Sequence, residues 1–403
     1  MIGFMATGVG LPLLGITAIA LTGGEYTPLL REKTWPRFAT VMLILLYLII
    51  GPLFAMPRTG AVSFEIGIRP FLTEENFAVG QLIYTAIFFA ASYYLSLNPN
   101  KIIDRVCKML TPVLLIVLFI LFAQAFHAPL GNILAPTGIY VEAPFAQGFQ
   151  DGYQTMDLLA SIAIGALVTN AIRMRGITDR HAIGSACLIS GLITVTLMTA
   201  VYGSLAYIGA TSASVLGQSE NGGQILAGAV GIFFGASGNL LLAVIIGLAC
   251  LTTCCGITSS AALFFNKLLK GRISYERLLL ISILFSFAAS NIGLTQIITL
   301  AVPFLVTIYP LVIVFVILSL FDYFIGWRKS IYQGAISLTL VFSLIDGLHA
   351  AGLCPPALHE LLRQTIPLYG IMMGWVCPAA VGALIGLCVS LFQTAPVPKE
   401  ADT

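Results

Sequence analysis

The sequence predicts an all-α integral membrane protein that crosses the bilayer about eleven times. Composition is the first sign: hydrophobic residues make up 58% of the 403 and charged residues 9%. A soluble domain carries roughly 25% charged residues to wet its surface. Apolar runs of span length are the second sign, since about 20 helical residues cross a ~30 Å hydrocarbon core. No period-2 alternation of a membrane barrel accompanies them, so helices are the spanning structure. The third sign is the placement of the basic residues in alternate connections.

A 20-residue ruler places spans near 2–22, 38–57, 78–97, 106–126, 152–172, 182–208, 236–265, 277–292, 296–320, 331–348 and 367–392. The first lacks a basic leading region and reads as a membrane helix, not as a cleaved signal. The apolar pattern runs nearly unbroken from Met1 to Phe392, so residues 1–392 read as one transmembrane domain. Residues 393–403 read as a short polar tail.

Lys and Arg orient the spans. One set of connections holds Arg31, Lys33 and Arg37; Lys101, Arg105 and Lys108; Arg173, Arg175 and Arg180; Lys267, Lys270, Arg272 and Arg277; Arg328 and Lys329; and Lys399 in the tail. The alternate set holds only Arg58, Arg69 and Arg363. The richer set is expected to be cytoplasmic, with the C-terminus inside and Met1 outside. One further span before Met1 would restore a cytoplasmic N-terminus.

Several function classes are excluded. The eight cysteines show no paired CxxC spacing and read as apolar packing residues, so zinc is not expected. Four histidines scattered along the sequence give no expectation of a metal cluster or a proton relay. GxxxxGK[ST], HExxH and GxSxG are absent, which argues against an ATP cassette and the commonest hydrolases. No enzyme activity, organic cofactor, nucleic-acid partner or ATP-binding subunit is expected.

Four stretches carry a resemblance: GPLFAMPRTGAVSFEIG at 51–67, GFQDGYQTMD at 148–157, GQSENG at 217–222 and ACLTT at 249–253. Together the chain resembles the branched-chain amino acid:cation symporters, bacterial carriers for leucine, isoleucine and valine. The resemblance implies a LeuT-type fold of the APC superfamily, with two inverted five-helix repeats followed by two helices. It also implies import across the bacterial cytoplasmic membrane, with substrate and ion near the midplane beside broken helices. Members have twelve spans, the first with a glycine-rich break. No such segment occurs here, and VGLPLLGITAIALTGG corresponds to the family's second span. A chain shortened at its start is therefore expected.

By the same resemblance, Gly152–Ile172 matches the family's broken sixth helix, with its break expected around Ala160, Ser161 and Gly165. A half-helix N-terminus there would attract a substrate carboxylate. The plain alternative is that these small residues allow close helix packing. Asp157, an intramembrane carboxylate five residues into the span, would attract the substrate ammonium or a cation, or sit hydrated at a helix end.

Ala249, Thr252 and Thr253 fit the sodium-binding spacing of this fold, with a carbonyl and two hydroxyls as hard oxygen ligands. Thr258, Ser259 and Ser260 offer a second register. Back-bonding to helix carbonyls is the alternative for both. Arg58 and Glu65, seven apart, share a helix side if the helix continues, and would form an outer gate or an ion pair fixing the helix end. Pro52 and Pro57 would kink that segment or end it. Ser286, Ser290, Asn291, Thr295 and Gln296 read as interhelical glue or a cap, and Asp346 and His349 as a solvated helix end.

The expected coupling ion is Na⁺, with H⁺ as the other possibility. The alternative functions are a proton-coupled carrier of another amino acid or a nucleobase on the same fold, and a shortened chain that does not transport.

Overall fold

The computed structural model describes residues 1–21, 26–97, 102–174, 176–177, 179–217, 219–371 and 373–392. The tail 393–403 lies outside the described residues, as do Lys101, Arg175 and Lys399 and the side chains of Arg105, Lys108 and Arg180. All regular elements among the described residues are helices. In hydrocarbon no water satisfies backbone N–H and C=O groups, so each segment must bond its own.

In chain order, α1 is Ile2–Leu21, with a π-helical turn at Ala6–Gly10. Helix α2 is Tyr26–Lys33 and α3 is Pro36–Leu48, followed by a π turn at Ile49–Leu53. Then come α4 Ala55–Gly67, α5 Phe77–Ser96, α6 Ile102–His127 and α7 Pro144–Asp151. Helix α8 is Asp157–Met174, α9 Arg180–Leu216, α10 Gly222–Leu268 and α11 Tyr275–Ser290. The last four are α12 Leu294–Ile325, α13 Lys329–Ala350, α14 Pro356–Thr365 and α15 Val376–Phe392.

Seven helical stretches among the described residues are long and apolar enough to cross a membrane. They include Ile2–Leu21, Pro36–Phe71, Gly222–Leu268 and Leu294–Asp322. Thr111–His127 and Val376–Phe392 are apolar but shorter.

Breaks follow the residues that cannot hold a helix. Gly51 (φ −86°, ψ −126°) and Pro52 interrupt the chain between α3 and α4. Pro57 lies in the first turn of α4, where a missing N–H costs nothing. The helix therefore does run on through Arg58 and Glu65. Gly235 (φ 65°, ψ −159°) divides α10, and the expected span from 236 begins directly after it. A side-chain-free residue takes this conformation without a Cβ clash.

The chain forms two compact units. The first comprises Met1–Leu13, Ile44–Leu167 and Ile189–Val302. In it α4 packs antiparallel along α10: a Cβ on Gly51 would stand 3.3 Å from the Ala261 Cβ, and one on Gly67 3.4 Å from the Ala243 Cα. Small residues let the backbones approach, as membrane helices require when water drives nothing together. An apolar core of Ile66, Leu118, Leu121, Phe122, Ile208 and Leu242 lies beside this pair. Polar side chains tie α5 to α11: Gln81 donates to the Ser290 carbonyl at 3.0 Å, and Asn291 Nδ2 to Thr85 Oγ1 at 3.2 Å. Ser286 reaches the Pro52 carbonyl at the kink, 3.4 Å away. The polar turn expected near 286–296 is thus interhelical glue.

The second unit comprises Leu14–Leu43, Val168–Leu188 and Pro303–Thr403. Helices α13 and α15 pack backbone to backbone, with Gly334, Gly382 and Gly386 at the crossing. Lys33 closes α2 onto this unit through an ion pair to Asp322 at 2.6 Å and a bond to the Trp327 carbonyl at 2.8 Å.

Candidate functional site

The candidate site lies in the first unit, where the chain is interrupted between α7 and α8. Helix α7 ends at Asp151, Gly152–Thr155 form a single 3₁₀ turn, and Met156 is left-handed (φ 60°, ψ 13°). A left-handed non-glycine residue costs about 1–2 kcal/mol and cannot continue a right-handed helix. Asp157 then opens α8.

Local side-chain bonds replace the missing helical ones. Thr155 Oγ1 donates to the Gly152 carbonyl at 2.8 Å and accepts from the Asp157 N–H at 3.4 Å. The expected break near Ala160–Gly165 is therefore displaced to 152–156. Helix α8 runs unbroken through Ala160, Ser161 and Gly165; the Ala160 N–H bonds the Met156 carbonyl at 2.9 Å, and Ser161 Oγ bonds Leu158 at 2.7 Å.

The start of α1 lies against this interruption. A Cβ on Gly148 would stand 3.2 Å from the Phe4 nitrogen, and one on Gly152 2.6 Å from the Thr7 Cβ. Gly148 and Gly152 form a G-x-x-x-G face that admits a neighbouring backbone.

Two side chains reach the interruption from elsewhere in the unit. Arg58 Nη1 donates to the Gln154 carbonyl at 2.5 Å. Tyr202 Oη donates to Asp157 Oδ2 at 2.6 Å, and its ring meets Phe4 edge-on at 5.2 Å. The Arg58 charge acts on both Asp157 and Tyr202. An aspartate at the first position of a helix also sits at the positive end of its dipole.

On its other side Arg58 adjoins α10. Its charge acts on Cys250, and Thr59 lies near Cys254. One turn of that same stretch gathers the expected sodium ligands: Thr252 Oγ1 and Thr253 Oγ1 both donate to the Ala249 carbonyl, each at 2.9 Å. Back-bonding uses one proton per hydroxyl and leaves oxygen lone pairs available to a cation. In the second register Thr258 bonds the Cys254 carbonyl at 2.6 Å and Ser260 bonds Gly256 at 2.9 Å.

A family model described as branched-chain amino acid transport protein matches residues 1–393. The chain belongs to this family. It is 45% identical to the branched-chain amino acid permease BraB of Bacillus subtilis, over 97% of the chain and 87% of that protein. It is 42% identical to the branched-chain amino acid transport system 2 carrier protein of Pseudomonas aeruginosa, over 96% and 86%. Among solved structures it resembles Mhp1, a nucleobase-cation-symport-1 family transporter held closed with bromovinylhydantoin bound. That likeness has a TM-score of 0.52 at 16% identity, over 97% of this chain and 88% of that one, and gives a LeuT-like fold.

In this branched-chain amino acid transport family member the two expected gate residues serve different places. Arg58 holds the interruption. Glu65, only 5% exposed, forms an ion pair with Arg69 one turn along its own helix. It also accepts from Asn221 Nδ2 at 3.0 Å and Gln224 Nε2 at 2.9 Å. Asn221 caps α10 as well, its side chain accepting from the N–H groups of Gly223 and Gln224. Spacing of four outcompetes spacing of seven because one turn brings side chains directly over one another.

Sequence reasoning missed Gln154, Tyr202, Asn221 and Gln224. For Asn221 a signal existed, an N-cap residue before a long apolar run. Tyr202 gave none, since its partner lies 45 positions away.

Proposed function

We propose that this chain imports leucine, isoleucine and valine together with Na⁺ across a bacterial cytoplasmic membrane. Its family membership supports the substrate class. The observation that carries the site is the Asp157 carboxylate, placed where the broken segment passes into α8. In this reading Asp157 receives the substrate ammonium, and the first turn of α8 with Ala160 and Ser161 faces the α-carboxylate. Gly165 gives the aliphatic side chain room. Ala249, Thr252 and Thr253 supply oxygens to Na⁺. Arg58 and Glu65 act as gate residues, with Arg58 releasing the Gln154 carbonyl when the interruption moves.

The energetics suffice for accumulation. One charge crossing ~100 mV gains about 2.3 kcal/mol, roughly 50-fold before any ion gradient is added. Selectivity among Leu, Ile and Val is expected to be modest, because a methylene in an apolar pocket is worth about 1–3 kcal/mol. Polar amino acids would bury unpaired groups and are expected to be rejected more strongly.

The test is radiolabelled isoleucine uptake by liposomes holding the purified chain, with Na⁺ or choline outside. Na⁺-dependent uptake that excess leucine and valine suppress supports the proposal. Uptake indifferent to Na⁺ and driven by a pH gradient overturns sodium coupling in favour of protons. Absence of uptake in either condition overturns the transport reading for the chain as it stands.

A further inference from the structure

The second unit holds an intramembrane carboxyl that the transport reading does not use. Asp346 lies on α13, about 25 Å along the helix from its start at Lys329. The sequence left it at a solvated helix end; the structure buries it to 4% exposure, with Oδ2 lacking any hydrogen-bond partner. The next residue, Gly347, packs so tightly on α12 that a Cβ would overlap Thr307 Oγ1 and stand 3.0 Å from the Pro303 carbonyl.

The surroundings are polar but supply no cation. Tyr369 is 2% exposed, acts electrostatically with Asp346, and has an unbonded hydroxyl. Trp375 Nε1 and His359 Nδ1 are buried and unbonded too. His359 stacks on His349 with ring centroids 3.9 Å apart and tilts against Tyr369 at 5.4 Å. From α12 come Thr307 and the Pro303 carbonyl, and residues 294–321 include no charged side chain. A nearby segment adds Cys354, which acts on Tyr369. Helix α14 carries Glu360 and Arg363, the latter packed beside Gly370. The ion pairs Lys33–Asp322 and Arg69–Glu65 do not involve Asp346.

An ionised carboxylate buried with neither a counter-ion nor a donor is costly, whereas the neutral acid brings its own O–H. His349 stands three residues further along α13, on the same helix face and half-exposed. Two imidazoles stacked this closely cannot both carry charge cheaply, so the pair takes up at most one proton beyond those of the neutral rings and can pass it on. We propose that Asp346 is a proton-binding site of the second unit, served from the helix end by the His349–His359 pair. In the transfer His349 loses its proton to the Asp346 carboxylate, giving a neutral acid and a neutral imidazole. The imidazole then regains a proton from water through His359.

The test reads protonation itself and needs no transport, so it stands apart from the symport reading. Infrared spectra of the intact chain in phosphatidylcholine liposomes are recorded at neutral pH and after pH jumps. The expected result is a carboxylic-acid carbonyl band at neutral pH that is lost in Asp346→Asn. Loss of a carboxylate band instead, or a carboxylate band that moves on adding Na⁺, makes Asp346 an ionised or cation-binding group and overturns the proposal. Should the Asn variant fail to fold, the unaltered chain is treated with dicyclohexylcarbodiimide, which adds to neutral buried carboxyls. Mass spectrometry is expected to find the adduct on Asp346, forming several-fold faster at pH 6 than at pH 8; no adduct at either pH overturns the proposal. The double variant His349→Gln, His359→Gln is expected to slow the band's response to a pH jump on the order of 10-fold with its endpoint unchanged. An unchanged rate removes the relay.

Discussion

The phenol of Tyr202 donates to Asp157 Oδ2 across 2.6 Å, joining the middle of a 37-residue helix to the first residue of another. Phe4 meets the same phenol ring edge-on, so α1, α8 and α9 converge on one carboxylate. A carboxylate held this way has one oxygen engaged and its position fixed before anything binds. That is the preorganisation a substrate ammonium needs if ordering cost is not to be charged against its affinity.

Tyr202→Phe tests this coupling. A hydrogen bond to a charged group is worth roughly 1.5–3 kcal/mol, so the isoleucine concentration for half-maximal uptake is expected to rise on the order of 10-fold or more. Asp157→Asn is expected to abolish measurable uptake, and Asp157→Glu to retain a fraction. Initial-rate uptake curves check all three. A Tyr202→Phe chain indistinguishable from the unaltered one would remove the pair from the site.

The helical breaks show what was legible in the sequence. The break at Pro52 was readable because proline marks breaks directly, and the span start at 236, read from hydropathy, coincides with the break at Gly235. The interruption before α8 was misplaced because it rests on Met156, a residue with no intrinsic preference for a left-handed backbone. Tertiary packing of Gly148 and Gly152 on α1 holds that turn, and such packing is invisible in a linear pattern. Asp346 misled for a similar reason. Its place near a helix end suggested hydration, while Gly347 against Thr307 and the ring of Tyr369 bury it.

Arg58→Lys separates a positioning role from simple charge. Lysine keeps the charge but lacks the fixed planar fork that reaches the Gln154 carbonyl. Uptake is expected to lose maximal rate by roughly 10-fold, the equivalent of about 1.4 kcal/mol, with substrate affinity less affected. Separate determination of kcat and KM checks this, and equal loss in both assigns Arg58 to substrate binding instead.

Glu65→Gln addresses stability. The amide leaves Arg69 without its ionic partner, and the 30% exposure of Arg69 lets water screen part of the loss. A cost of about 1–2 kcal/mol is expected. Asn221→Ala removes the α10 cap, worth about 1 kcal/mol, together with one donor to Glu65. Thermal unfolding in detergent should show both variants melting a few degrees lower, with the double variant less than additive because the two side chains share one network.

Thr252→Ala and Thr253→Ala each remove a hydroxyl from the Ala249 turn while leaving the helix its own hydrogen bonds. If these oxygens hold Na⁺, the Na⁺ concentration for half-maximal uptake rises on the order of 10-fold in each, and Thr→Ser restores it. Uptake measured against Na⁺ at saturating isoleucine decides this. A rise confined to Thr258→Ala would move the ion site to the second register.

The α13–α15 crossing makes a steric prediction. A Cβ on Gly382 would overlap the Gly334 carbonyl and stand 3.0 Å from the Ala335 Cα, and one on Gly386 would stand 2.6 Å from the Ile331 Cα. The groups met are backbone, which cannot rotate away as a side chain would. Gly382→Ala is therefore expected to force the helices apart at a cost of about 1–3 kcal/mol, despite the better helix propensity of alanine. Gly352, left-handed at φ 72° but with open space around its Cβ, supplies the contrast. Its alanine variant pays only the left-handed backbone cost of about 1–2 kcal/mol and leaves the crossing intact. Crosslinking a cysteine pair placed across α13 and α15 distinguishes them: Gly382→Ala is expected to slow crosslinking, whereas Gly352→Ala leaves it unchanged.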